Sequence, residues 1–164
     1  MTDRRGFTLV ELTAVLFVLG LILWTVVPRL SLLGDPGRDA VFRDIASGSE
    51  QAFDASLFEK RETCLMLIPY SRTYEFRDPE RANDERRPRE FSADLAITGI
   101  RIEGEERPLD LPTEIRYRPG GLLPEARIHF RDSADKKKPT DWTLLLNPWD
   151  GSIKVLEGVV KRDD

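Results

Sequence analysis

Residues 6–27 read GFTLVELTAVLFVLGLILWTVV, and from Leu12 to Val27 no side chain carries a charge. Wound as a helix at 1.5 Å per residue, Phe7–Val27 would span roughly 31 Å, about the thickness of a bilayer core. Arg4 and Arg5 flank its N-terminal end, so the positive-inside bias keeps that end cytoplasmic. The chain from about Pro28 onward is then expected across the membrane, with Trp24 at the far interfacial belt. A cleaved secretory signal has a different layout, because its small-residue cutting site follows the apolar run. Here residues 24–37, WTVVPRLSLLGDPG, contain no Ala-x-Ala, and the small residue Gly6 precedes the run. A cut at Gly6 leaves the apolar helix on the mature chain.

Glu11 is the anomaly. A carboxylate deep in an apolar span costs on the order of 2–3 kcal/mol. Its place near the helix start lets the positive end of the helix dipole relieve part of that cost. On position alone two readings stand: a glutamate snorkelling to the headgroups, or an intramembrane functional group.

The neighbouring residues decide between them. GFTLVEL, residues 6–12, resembles the processing site of type IV prepilins and pseudopilins. The resemblance implies that prepilin peptidase cuts between Gly6 and Phe7 and that Phe7 is N-methylated. It implies that Glu11 neutralises the terminal amine of a neighbouring subunit during assembly. Arg4 and Arg5 match the short basic leader. Physical chemistry supports this pairing independently. An amine freed at Phe7 and a carboxylate at Glu11 are each expensive alone in low dielectric and gain by meeting. Glu11 would then act as an assembly register, like a buried polar residue in a coiled coil. Gly20 and Pro28 are weak helix points. They read either as a kink, as in pilin-like stems, or, for Pro28, as the end of the span.

The rest of the chain has a different character. Arg4, Arg5 and Arg29 balance Asp3, Glu11 and Asp35, so the chain's net charge of −4 lies wholly in residues 38–164. An acidic body argues against a general nucleic-acid binder, which needs clustered Lys and Arg. Cys64 is the one cysteine and cannot form an internal disulfide. Gly34, Pro36 and Gly37 predict a break over 29–37, and Asp35 or Asp39 could cap the helix that follows. Residues 38–61 predict that helix, with Val41, Phe42, Ile45, Ala52, Phe53 and Leu57 on its apolar side and Gly48 weakening its middle.

Strands follow. CLMLIPYS, residues 64–71, predicts a buried strand with Cys64 as a core residue, and RTYEF, 72–76, is placed to pair with it. Residues 77–90, RDPERANDERRPRE, hold five arginines and five acids and predict a solvated loop rather than a phosphate patch. Strands are expected over 95–102, over 113–117 before a Pro-Gly-Gly turn, and over 126–131. In the last, Ile128 and Phe130 face one way and Arg127, His129 and Arg131 the other. His129 has no nucleophile or metal-ligand partner at recognisable spacing. Residues 141–158 predict a closing hairpin turning at Asn147–Gly151, with Trp142 and Trp149 as core and turn-packing residues.

IRYRPGG, ARIHF and TLLLNPWDGSIKV together resemble the heads of H-type minor pseudopilins of type II secretion and the related FimT-type minor pilins. There, paired strands with a Pro/Gly-rich turn precede a closing hairpin. The expected fold is α+β: a long N-terminal transmembrane helix continuing into a spine packed against antiparallel sheet. The expected organisation is a leader over 1–6, a transmembrane helix over 7–28, a break over 29–37 and a periplasmic head over 38–164. The function implied is a minor pseudopilin of a periplasmic type II secretion pseudopilus anchored in the bacterial inner membrane. Its implied partners are other pseudopilins, prepilin peptidase and the inner-membrane assembly platform, with no nucleic acid. The alternatives are a minor pilin of a type IV pilus and a membrane-tethered periplasmic enzyme. An enzyme would need a nucleophile, base and acid set, which the sequence does not display. No cofactor or metal is expected, since residues 132–135, DSAD, make too weak a calcium cage.

Overall fold

The computed structural model describes residues 36–79 and 88–160, together with Thr13, Val15 and Phe17. The chain divides into two compact units, Met1–Pro36 and Gly37–Asp164. In the first, Thr13, Val15 and Phe17 are helical and exposed. Among the described residues no helix is long and apolar enough to cross a membrane. The apolar run over 7–27 falls outside them but for those three positions.

The second unit is built on helix α1, Pro36–Phe58. Proline suits a first helical turn, where its missing N–H has no partner to lose. Pro36 and Gly37 therefore belong to the helix, not to the break expected over 29–37, and the helix ends at Phe58 rather than near Arg61. Its buried stripe is Arg38, Val41, Phe42, Ile45, Ser49, Ala52, Phe53 and Ser56, a repeat of threes and fours that keeps one face inward. Three of those eight are polar, which is why the apolar pattern alone outlined this face incompletely.

Among the described residues nine strands form two antiparallel sheets. β1 (Thr63–Ile68), β2 (Thr73–Arg77), β3 (Arg89–Glu90) and β6 (Thr113–Tyr117) lie in the order β3-β2-β1-β6. The second sheet holds β4 (Leu95–Ile102), β5 (Glu105–Arg107), β7 (Ala126–Asp132), β8 (Thr140–Leu146) and β9 (Ile153–Glu157), in the order β5-β4-β7-β8-β9. The pairing of β1 with β2 is as expected. The Pro-Gly-Gly turn does not join two paired strands: β6 pairs with β1, while β7 pairs with β4 and β8. Residues 118–125 are thus a crossover between sheets. Gly120 and Gly121 take φ of +92° and +75° there, backbone angles that an L side chain adopts only at a cost. β3 lies inside the stretch expected to be all loop, and β5 falls between the strands expected over 95–102 and 113–117.

Both sheets pack on α1 around one core. On the first, Phe76 lies so close to Gly48 that a Cβ there would come within 2.3 Å of the ring, so the glycine that weakens the helix is what admits the sheet. On the second, the Phe42 and Phe130 rings approach at 5.3 Å between centroids, and Phe91 meets Phe130 edge-on at 5.5 Å.

Candidate functional site

The residues expected to carry processing and assembly (Arg4, Arg5, Gly6, Phe7 and Glu11) and the two helix-weakening points Gly20 and Pro28 lie outside the described residues. The geometry on view is that of the head.

Its polar centre is Ser49. The hydroxyl donates to the Gly151 carbonyl at 2.6 Å and receives the Tyr117 hydroxyl at 2.9 Å, all of it buried. One helix residue thereby ties β6 of the first sheet to the β8–β9 turn of the second. A buried hydroxyl with both roles filled avoids the penalty of an orphaned polar group. Burial also raises the Tyr117 phenol well above its ordinary pKa, so it remains a neutral donor.

A second cluster sits at the start of α1. Arg38 is buried, with Nη1 3.2 Å from Asp132 Oδ2 and Nη2 2.8 Å from Asp39 Oδ1. Its guanidinium lies 4.2 Å from the Trp142 ring centroid. Arginine suits this place because its planar fork can pair with carboxylates and stack on an aromatic face together. Trp142 also meets Phe42, in keeping with its expected packing role. Trp149 does not: it is 86% exposed at the tip of the β8–β9 turn. The turn is held by the Asn147 side chain, Asp150 and Ser152 instead, so it needs no indole contact.

A third cluster joins α1 to the first sheet. The Tyr74 hydroxyl donates to Asp44 Oδ2 at 2.6 Å, and Arg89 of β3 pairs with the same carboxylate. Tyr74 stacks on Phe91 at 5.1 Å.

His129 and Cys64 are the remaining candidates. Ile128 and Phe130 are buried and His129 faces the other way, as the alternation predicts. Cys64 is buried, and its cross-strand partners are Arg77 and Arg116. Burial and then Glu114 raise its thiol pKa, which disfavours a reactive thiolate. His129 Nδ1 lies 3.0 Å from Thr143 Oγ1. That hydroxyl gives its hydrogen to the Gly158 carbonyl at 2.6 Å and also accepts the Val160 N–H at 3.2 Å. Its proton is spent, so Nδ1–H of a neutral imidazole must be the donor.

Burial lowers the His129 pKa, and Arg101 and Arg127 lower it further against the opposing pull of Glu106 and Asp141. A depressed folded value means the unfolded chain takes up its proton first as pH falls through about 6.5. His129 therefore adds stability that is complete above that pH and is lost below it. Urea unfolding of the wild type should weaken between pH 7 and 5.5 by more than that of His129→Gln. Equal slopes would show that the ring is not held in its neutral form.

Among the described residues no group of His, Cys, Asp or Glu is arranged to hold a metal ion. The head clusters spend most of their donors and acceptors on joining elements, although the buried Trp142 Nε1 has no hydrogen-bond partner among the described residues. Residues 1–27 match the prokaryotic N-terminal methylation motif. No curated protein matches the chain, and no solved structure matches it. The motif supports a type IV pilin-like precursor processed by prepilin peptidase, a structural subunit that assembles with other pilin-type subunits. It is consistent with membrane anchoring and with assembly on the far side of that membrane. The head to which this pilin-like signal is joined is α+β, one helix with antiparallel sheets.

Proposed function

We propose that the chain is a minor pseudopilin of a type II secretion pseudopilus, anchored in the inner membrane with its head in the periplasm. The observation that carries this reading is the methylation motif at residues 1–27, joined to an acidic α+β head. In this reading prepilin peptidase cuts between Gly6 and Phe7, Phe7 is N-methylated, and Arg4 and Arg5 form the basic part of the leader. The freed amine of one subunit meets Glu11 of another, since each charge is costly unpaired at the membrane edge. Gly20 and Pro28 loosen the stem between membrane and head. The partners are major and minor pseudopilins packed stem to stem and the inner-membrane assembly platform. The acidic charge of the head favours this over a DNA-uptake pilin, whose partner is a polyanion.

Deleting the gene should abolish export of folded proteins across the outer membrane while leaving surface pili, twitching and DNA uptake intact. The converse pattern would make the chain a pilus subunit. Glu11→Ala should be processed and inserted normally but recovered in sheared filaments at about a tenth of the wild-type level or less. Unchanged recovery would remove the charge-pairing account.

A further inference from the structure

Among the described strands β6 is hydrogen-bonded to β1 alone and forms one margin of its sheet, with Arg118 just beyond it bridged to Leu122. Alternate N–H and C=O groups along its outer side therefore have no strand partner, a standing invitation to another extended chain. Beside this margin lies a groove of about 760 Å³, within the size range of ligand sites. Leu111 and Leu122 line it while 56% and 64% exposed, and the buried Leu123 lines it too. Arg107, Arg116 and Arg118 line it beside the carboxylates of Glu103 and Glu114, and Glu62 lies 3.7 Å from Arg116. Arg107 is engaged with Glu105 at 3.2 Å and Arg116 with Glu114 at 2.7 Å. Among the described residues Arg118 has no ion pair and remains exposed at the end of β6.

These three features specify an occupant. The unpaired margin asks for extended backbone, the leucines for apolar side chains, and Arg118 for a carboxylate. We propose that the groove receives an extended acidic segment of a partner protein, which adds to β6 as a fifth strand. Backbone pairing would supply affinity and alternate side chains specificity. The segment's apolar side chains would cover Leu111 and Leu122, and its carboxylates would meet Arg118. The inference concerns the head alone and stands whether or not the stem assembles as proposed.

The test uses the full chain in lipid nanodiscs, with empty discs as control. The probe is a short fluorescent peptide alternating glutamate with valine, compared with its lysine counterpart by anisotropy. The acidic peptide should bind, and amide exchange over Thr113–Tyr117 should slow by about tenfold or more. Arg118→Glu and Leu122→Glu should each weaken binding by about tenfold. Both side chains are exposed, so the fold should tolerate the changes. Equal binding of the lysine peptide, no binding of either, or unchanged exchange over β6 would overturn the proposal. So would equally effective competition by duplex DNA, which would make the groove a general anion site.

Discussion

Gly6→Val should accumulate as an uncut precursor, with mature chain reduced to a trace. A peptidase that cleaves beside a glycine can close its site on bare backbone, and a β-branched side chain at that position fills the space. The consequence extends past the missing cut. With residues 1–6 attached there is no amine at Phe7, so Glu11 of a neighbouring stem loses its proposed counter-charge and becomes an unpaired carboxylate at the membrane edge. Intact-mass spectrometry reads the outcome directly. The wild type should begin at N-methylated Phe7, and the variant should retain all six preceding residues. The same variant should be inserted in the membrane but missing from filaments. A wild-type chain starting at any other residue would dispose of both the cutting site and the pairing built on it.

Gly151→Val should be the most damaging single change in the head. Gly151 takes φ +70°, and a Cβ there would lie 2.5 Å from Phe53 Cβ and 2.8 Å from Phe53 Cγ. Neither atom can retreat, because Phe53 is buried in α1. The left-handed backbone alone costs about 1–2 kcal/mol for an L side chain, and the clash would force the turn away from α1. Moving the turn breaks the Ser49–Gly151 hydrogen bond, leaving a buried hydroxyl without its acceptor. The expected total is about 3–4 kcal/mol, a fall in Tm of roughly 11–15 °C for a head of this size. Gly104→Val separates the causes. Gly104 has φ +84° with nothing within 4 Å of an added Cβ, so only backbone strain should register there. Equal losses at the two sites would show that the Phe53 contact does not hold the turn.

Much of this head could be read from residue order, for definite reasons. β1 and β2 stood out because CLMLI, residues 64–68, is an unbroken apolar run and TYEFR alternates beside it. β7 stood out because Ile128 and Phe130 alternate with polar residues. The Asn147–Gly151 turn followed from its Asn, Pro, Asp and Gly. β3 and β5 escaped notice because they are two and three residues long, and every one of them is exposed. Strands that short leave no burial pattern; backbone pairing alone defines them. The crossover at 118–125 was hidden because a Pro-Gly-Gly turn serves a hairpin or a change of sheet equally well. Trp149 does not pack, because the turn is held by its own polar side chains and needs no indole. Ser49, Ser56 and Arg38 fill the inner face of α1 though polar, since their partners stand far off in sequence. Of the candidate site, GFTLVEL was legible because its signal is local: a small residue, an apolar run and a carboxylate within six consecutive residues. The β6 groove was not, because leucines and arginines from three separate segments compose it.

The reach of Ser49 also sets a timetable. Its two hydroxyl partners lie 68 and 102 residues later in the chain. A polypeptide emerging N-terminus first, from a ribosome or through a translocon, delivers the spine long before the groups that seat it. The helix can coil early, but its inner face stays open to solvent until nearly the last hairpin has arrived. During that interval the nascent head is an unlatched frame that other chains can adhere to, so a holding chaperone should matter most before Gly151 appears.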